Sequence, residues 1–186
     1  DRKGTKLFSV DEHPRATSLE QLAAMKPAFK KDGSVTAGNA SGLNDGAAAL
    51  VMATGAAVQV NNLRPLARLV SYAHAGVEPT LMGLGPIPAT RLALKRAGLT
   101  VADMDVVEAN IAFAAQDCAV SQELDLDPAK VNPNGSGIAL GHPVGATGAI
   151  IATKAIHELH RTGGRYALVT MCIGGGQGIA AIFERA

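Results

Sequence analysis

The chain has 186 residues, of which 47% are hydrophobic and only 3% aromatic, and 17 Lys and Arg residues against 16 Asp and Glu residues leave a formal charge of +1. This balance argues against a protein that neutralises nucleic-acid phosphates, and no apolar run reaches the ~20 residues that a membrane span needs. We expect a cytoplasmic α/β protein with no nucleic-acid or membrane partner, and free thiols at its two cysteines.

Residues 1–60 combine a peripheral segment with an apolar stretch. "SLEQLAAM" (18–25) predicts a short helix with Ser18 as its N-cap. The unbroken apolar run from Ala47 to Ala53 predicts a strand buried on both faces. Because the pattern breaks over residues 58–67, we place a domain boundary after residue 60.

Residues 61–186 alternate between strand and helix patterns. Strands are predicted at 66–77, 104–110, 165–172 and 178–186, and helices at 86–98, 112–124 and 143–163. Gly98 is expected to stop the first of these helices, and Pro143 to stand at the first position of the third. The order β-α-β-α-loop-α-β-β predicts an α/β layer with helices over a mixed sheet that ends in a hairpin.

Three side chains with useful chemistry follow strands or precede a helix at one edge of this sheet. Asn110 ends a strand, His142 lies in a glycine-rich loop, and Cys172 ends a strand before "IGGGQG". His142 beside a helix N-terminus is expected to be neutral and to act as a base or an oxyanion donor. Cys172 is expected to exchange protons with a substrate held against the exposed backbone N–H groups.

Each of these features also has a plainer structural interpretation. "GHPVG" can start a closely packed helix, Cys172 can be a buried structural residue, and Asn110 can be a turn former. Cys118, in the middle of a helix, is expected to be an inert packing residue. "HELH" (157–160) lacks the spacing of a zinc site, so no metal is expected, and neither a dinucleotide fingerprint nor a phosphate-binding loop is present.

Four segments, taken in order, resemble the carboxyl-terminal half of a thiolase. They are "NASGLNDGAA" (39–48), "EANIAFAAQ" (108–116), "NPNGSGIALGHPVGATGA" (132–149) and "CIGGGQG" (172–178). The resemblance implies a thiolase-like core domain at 61–186, with a mixed five-stranded sheet in the order β-α-β-α-β-α-β-β. Residues 1–60 would be the tail of a preceding similar domain, with part of the region that binds coenzyme A (CoA).

Thiolases join two acyl-CoA thioesters in a Claisen condensation, or cleave a 3-ketoacyl-CoA in the reverse direction, with CoA thioesters as substrates and no cofactor. The resemblance implies that Cys172 is the acid/base thiol, and that His142 activates the nucleophile and shares an oxyanion hole with a water held by Asn110. The backbone N–H of Gly174 would serve the second hole. Further implied positions lie along CoA (Arg15, Phe29, Ala37, Ser41, Leu43) and in the acyl pocket (Met82, Phe113).

Two departures from the family pattern affect these expectations. The nucleophilic cysteine of the family belongs to the amino-terminal half, and neither cysteine here has that place, so we expect a catalytically incomplete fragment. Such a fragment is expected to expose the run Ala47 to Ala53 as an unpaired, aggregation-prone strand. Ile111 stands where the family motif has glutamate. We predict a higher kcat for Ile111→Glu, assayed with the amino-terminal half present, because the acid restores an acceptor near the catalytic water; equal kcat values would contradict this.

The nearest type is the biosynthetic β-ketothiolase or acetyl-CoA acetyltransferase, with fatty acid metabolism and polyhydroxyalkanoate synthesis as expected settings. A degradative 3-ketoacyl-CoA thiolase is the first alternative. A non-catalytic CoA-binding or scaffolding fragment is an alternative of another class, and a ketoacyl synthase is disfavoured by Cys172. The expected partners are acyl-CoA, CoA, the amino-terminal half and, in the intact protein, further copies in a dimer or tetramer.

Overall fold

The computed structural model describes residues 4–5 and 7–186. The helices are α1 (Leu19–Ala23), α2 (Gly55–Val60), α3 (Pro86–Ala97), α4 (Ala114–Leu124), α5 (Gly137–Leu140) and α6 (Thr147–Thr162). The strands are β1 (Ala67–Gly76), β2 (Val106–Ala109), β3 (Tyr166–Ile173) and β4 (Gln177–Arg185). Short 3-10 turns cover Pro79–Leu84 and Val101–Asp103.

The strands form one mixed sheet in the order β1-β4-β3-β2. β4 is antiparallel to both β1 and β3, and its pairing with β3 forms the hairpin predicted at the end of the chain. β2 is parallel to β3, and the connection between them carries α4, α5 and α6. The α/β class and the mixed sheet are therefore confirmed.

Successive strand residues point to opposite sides of the sheet, so apolar side chains appear on both of its faces. Helices cover both faces. On one face, Val107 and Leu168 join a core with α3 and α4. On the other face, Val106 and Ala167 pack with Ile151 and other apolar residues of α6. β2, at the edge of the sheet, and its neighbour β3 are thus buried on both sides, which accounts for their nearly continuous apolar sequence.

Local capping follows the sequence closely. The Ser18 side chain accepts a hydrogen bond from the Gln21 backbone and caps α1. Gly98 ends α3 in the left-handed conformation with φ of 67°, which an L side chain adopts only with strain. Both predictions are confirmed. Among the described residues, no helix combines the length and apolar character that crossing a membrane would require.

The expectation of a five-stranded sheet is wrong for the described residues, which have four strands. The segment between α4 and α5 makes only an isolated parallel bridge, from Val131 to Val107. Asn132 then turns the backbone to a positive φ of 48°, and its side chain, rather than a further main-chain group, accepts from the Ala109 N–H. The edge of β2 is therefore paired by a loop instead of a strand.

The prediction of a strand from Ala47 to Ala53 is also wrong. The segment is irregular and exposed, and the side chain of Val51 is 96% exposed. Each of the four described strands pairs only with its neighbours in the sheet, and none of them pairs with residues 47–53. An apolar run becomes a buried strand only where neighbouring strands satisfy its backbone and cover its faces.

Candidate active site

Asn110 and His142 meet at the edge of the sheet where β2 ends. Asn110 is 1% exposed, and its backbone N–H continues the β2–β3 pairing by donating to the Thr170 carbonyl at 3.0 Å. Its side-chain nitrogen lies 3.4 Å from Nε2 of His142. The structure therefore brings together two of the three residues singled out on chemical grounds.

His142 is held on three sides. Its backbone N–H donates to Oδ1 of Asn44 at 3.0 Å, and Nδ1 lies 2.7 Å from the Thr147 hydroxyl. Burial lowers the pKa of His142 below its usual range, because removing water penalises the charged imidazolium. The ring is thus held neutral at the pH where a base is needed.

The expectation that Pro143 starts the long helix is wrong. Residues 143–146 form a separate turn, in which the Pro143 carbonyl accepts from Ala146 at 2.7 Å, and α6 begins at Thr147. His142 therefore stands a full turn ahead of α6. Desolvation, rather than the helix dipole invoked from the sequence, lowers its pKa.

The glycine-rich loop is held against the end of β2 by its own side chains. The Ser136 hydroxyl donates to the Ala109 carbonyl at 3.0 Å and accepts from the Ile111 N–H at 3.0 Å. At Gly137, an added Cβ would lie 2.6 Å from the Ile111 oxygen and 3.0 Å from Oδ1 of Asn110. Only glycine fits there, so the loop reaches close enough to seat His142 beside Asn110.

A buried ion pair supports the same loop, and the sequence reading missed it. Nζ of Lys154 on α6 binds Oε2 of Glu108 at 2.8 Å and also the Gly135 carbonyl. Glu108 is fully buried, and its desolvation raises the pKa of this carboxyl even though Lys154 opposes the shift. A charged residue inside the apolar strand pattern of β2 was the available signal.

The Asn110 side chain leaves one polar atom free. Oδ1 of Asn110 is buried and has no hydrogen-bond partner among the described residues. Buried polar groups without a partner are rare in folded proteins, and they often mark the place of a water or ligand. This orphaned oxygen beside the His142 ring is consistent with a site that binds a polar group.

Cys172 and Gly174 lie on the β3–β4 hairpin at this edge of the sheet. Cys172 pairs with Gly178, and the turn that follows uses Gly175 and Gly176 with φ of 86° and 85°. Burial raises the pKa of the Cys172 thiol, so it is protonated at neutral pH. Gly174 is exposed at the start of the turn. No hydrogen bond joins the thiol to Asn110 or His142 within the part of the chain that the structure describes.

Residues 39–44 run between the Asn110 segment and the His142 loop. The Ser41 N–H donates to the Ala112 carbonyl at 2.8 Å, and Leu43 forms a parallel bridge with His142. The Leu43 side chain is 88% exposed and free to contact a ligand. The structure therefore brings these two predicted CoA positions against the Asn110–His142 pair.

The other predicted binding residues are more widely spread. Phe29 and Phe113 pack edge to face with their ring centres 6.2 Å apart, and Phe113 directly precedes α4. Met82 is half-buried in the 3-10 turn before α3. Arg15 and Ala37 are exposed.

A shallow groove of about 580 Å³ lies between α4 and the glycine loop. The Ile111 side chain lines this groove, and the predicted effect of Ile111→Glu remains a prediction. Cys118 also lines it and is exposed, so the expectation of an inert packing residue is wrong. α4 buries the face that carries Val120 and Leu124, and Cys118 is on the other side.

The described residues contain no cluster of three or more His, Cys, Asp or Glu side chains that could hold a metal ion. In "HELH", the Glu158 carboxylate is engaged by Arg161 at 2.6 Å and by Asn134 at 2.9 Å. His160 Nε2 lies 2.8 Å from the Leu66 carbonyl. These side chains therefore serve the structure of α6.

Comparison with protein families gives two adjoining matches. The family described as "Thiolase, C-terminal domain" matches residues 63–185, and "Thiolase, N-terminal domain" matches residues 1–56. Beta-ketothiolase BktB of Cupriavidus necator is 66% identical over 186 residues, which is 99% of this chain and 47% of that protein. The chain spans a little under half the length of the curated relatives it matches.

Two solved structures share this fold closely. The acetyl-CoA acetyltransferase of Bacillus anthracis superposes with a TM-score of 0.91 at 53% identity, covering 100% of this chain and 48% of that one. Human mitochondrial 3-ketoacyl-CoA thiolase in complex with CoA superposes with a TM-score of 0.87 at 50% identity, covering 96% of this chain and 46% of that one.

Proposed function

This chain belongs to the thiolase family, and on that basis we propose that it carries part of the active site of an acyl-CoA acyltransferase. The reaction is the Claisen condensation of two acyl-CoA molecules, such as acetyl-CoA to acetoacetyl-CoA, or the reverse thiolysis. Two relatives support this proposal by their names, a β-ketothiolase and an acetyl-CoA acetyltransferase.

The contact between Asn110 and His142 carries this proposal, because the reaction needs a neutral base beside a polar site for a developing oxyanion. Nε2 of His142 takes the proton of the attacking thiol. A water held by Asn110 then shares the first oxyanion hole with the histidine. The orphaned Oδ1 of Asn110 supplies an acceptor for that water.

Cys172 is proposed as the acid/base thiol for the substrate. Removing a proton from the α-carbon of a thioester requires a base whose conjugate acid holds the proton well, and a buried thiol with a raised pKa meets this need. The second carbonyl oxygen would receive the N–H of Gly174, which is exposed in the hairpin turn.

The substrate-binding roles follow the family resemblance. Ser41 and Leu43 would contact the pantetheine of CoA, and their contacts with Ala112 and His142 support this role. Phe113 would line the acyl pocket. The remaining proposed contacts are Arg15 near the nucleotide end, Phe29 and Ala37 along pantetheine, and Met82 in the acyl pocket.

The covalent nucleophile is proposed to come from outside these residues. Cys118 lies on the groove beside α4, and Cys172 has the acid/base role. Turnover would then require the amino-terminal portion that the longer relatives carry, either in one polypeptide or as a partner chain. Thiolase dimers or tetramers would be the assembled form.

The test is thiolysis of acetoacetyl-CoA by this chain together with that amino-terminal portion. We expect turnover that falls by about 10²-fold or more in His142→Ala and in Cys172→Ala, because each removes a proton-transfer group. Cys118→Ala serves as the matched control and should leave kcat unchanged. CoA binding without any thiolysis would instead support a non-catalytic binding module.

A degradative 3-ketoacyl-CoA thiolase is the second candidate, since the human mitochondrial enzyme of that name superposes on 96% of the chain. The two candidates differ in acyl length. Comparing kcat/KM for acetoacetyl-CoA and for a medium-chain 3-ketoacyl-CoA separates them, and a strong preference for the longer substrate would favour the degradative type.

A further inference from the structure

The hydroxyl of Thr147 occupies a defined position between His142 and Pro143. Its oxygen lies 2.7 Å from Nδ1 of His142 and 2.9 Å from the Pro143 carbonyl. Thr147 is the first residue of α6 and is 3% exposed, so water cannot replace either partner. The positions of the protons in this chain of three groups can therefore be worked out.

A threonine hydroxyl has one proton to donate, and a carbonyl oxygen can only accept. The Thr147 proton therefore goes to the Pro143 oxygen, which otherwise would face a second acceptor at 2.9 Å. The lone pair of the hydroxyl is then left for His142. Nδ1 must be the donor in that contact, and so it carries the ring proton.

The other side of the ring leads independently to the same tautomer. Nε2 of His142 faces the side-chain nitrogen of Asn110 at 3.4 Å, and an amide nitrogen can only donate. Nε2 is therefore the acceptor in this pair. In a neutral imidazole, a protonated Nδ1 and an unprotonated Nε2 are one and the same tautomer.

We propose that Thr147 is a positioning residue that fixes His142 in the Nδ1-protonated tautomer and so presents the Nε2 lone pair to the reacting thiol. The inference rests on the proposed thiolase function. The attacking thiol takes the place of the Asn110 amide at the single Nε2 lone pair. When the thiol gives up its proton to Nε2, the electron pair of the S–H bond stays on sulfur, and Nε2–H becomes a donor for the oxyanion. Without Thr147, only the 3.4 Å contact from Asn110 still favours this tautomer, so the ring would populate in part the other one, which has no lone pair at Nε2.

Thr153 provides a matched control on the same helix. Its hydroxyl donates to the Ala149 carbonyl at 2.8 Å, the same back-bond that Thr147 makes to Pro143, and Thr153 has no contact with His142. Thr153→Val and Thr147→Val thus remove the same kind of helix hydrogen bond. Only the second removes the partner of the imidazole.

The first measurement is the protonation of the two ring nitrogens of His142 by ¹⁵N NMR of this chain at neutral pH. We expect protonated Nδ1 in the wild type, in Thr153→Val and in Thr147→Ser, and a mixture of tautomers in Thr147→Val. Protonated Nε2 in the wild type would overturn the proposal, as would an unchanged tautomer in Thr147→Val. If the valine variant does not fold, Thr147→Ala is read in the same way.

The second measurement is kcat in the enzyme completed by its amino-terminal portion. Thr147→Val is expected to lower kcat by about 10- to 100-fold, as in metal sites when a group that orients a bound histidine is removed, and Thr147→Ser is expected to restore most of it. A kcat loss that Thr153→Val shares would mean a structural role only. If the wild-type enzyme has no thiolase activity, the proposed function fails, whereas the NMR result still decides the tautomer.

Discussion

Gly137 sets how closely the glycine loop approaches Asn110. In Gly137→Ala the new Cβ meets the Ile111 oxygen at 2.6 Å, so the loop must move away. We expect a loss of about 1–3 kcal/mol in the free energy of unfolding, as for other overpacked sites, and about a 10²-fold loss of kcat as His142 shifts. Urea unfolding and steady-state kinetics measure both.

Gly145 in the same loop is the matched control for this prediction. An added Cβ there meets nothing within 4 Å, so Gly145→Ala should change stability by no more than about 0.5 kcal/mol. Equal effects of the two substitutions would show that the loss comes from replacing a glycine by alanine in this loop, and that the close approach at Gly137 is not its cause.

The residues with chemistry were easier to predict from the sequence than the residues that hold them. Asn110, His142 and Cys172 are polar or reactive side chains at strand ends, and each lies at the expected edge of the sheet. Thr147 and Lys154 carry no such signal, because a threonine or a lysine in an amphipathic helix is ordinary. Their roles depend on which groups the fold places opposite them.

At the scale of the elements, the Lys154–Glu108 pair ties α6 to β2 and to the glycine loop. Lys154→Met leaves a buried carboxylate without its partner, and we expect it to cost about 3–5 kcal/mol of unfolding free energy. The double variant with Glu108→Gln removes both charges and should recover much of this loss. A double-mutant cycle by chemical denaturation measures the coupling, and strictly additive effects would contradict it.

A second tie between α6 and the loop predicts a pH dependence. Arg161 and Asn134 hold the pKa of Glu158 at about 2, below its ordinary value of 4.5. As the pH falls, the unfolded state binds this proton before the folded state does. The stabilisation of the fold by the Glu158 carboxylate is therefore complete above about pH 4.5 and is lost as the pH falls towards 2. The stability difference between wild type and Glu158→Gln should therefore shrink over that window, and a constant difference would refute the assignment.

The elements that failed to form as predicted share one physical cause. The helices α3 and α6 and the strands of the hairpin have strong local periodicity, and they form close to their predicted bounds. The strands expected before α6 and from Ala47 to Ala53 depend on neighbours that sequence does not specify. In the first case the side-chain amide of Asn132 accepts the hydrogen bond of the Ala109 N–H in place of a strand. In the second case no described strand lies beside residues 47–53.

On the scale of the whole molecule, the exposed apolar run is the main liability. Leu50, Val51 and Met52 are 42%, 96% and 68% exposed, and contiguous apolar surface promotes association. We expect Val51→Lys to reduce self-association of this chain without loss of helix content, because the side chain contacts solvent. Light scattering and circular dichroism test this, and unchanged self-association of Val51→Lys would contradict it.

The pairing of β1 with β4 has a consequence for biosynthesis. Ala67 lies opposite Arg185, so β1 leaves the ribosome long before the strand that completes its hydrogen bonds exists. During that interval a nascent chain would carry β1 and α3 without the rest of their layer, and such widely separated pairings fold slowly. The Cys172 hairpin also contains β4, so the site would assemble only after that strand has been made.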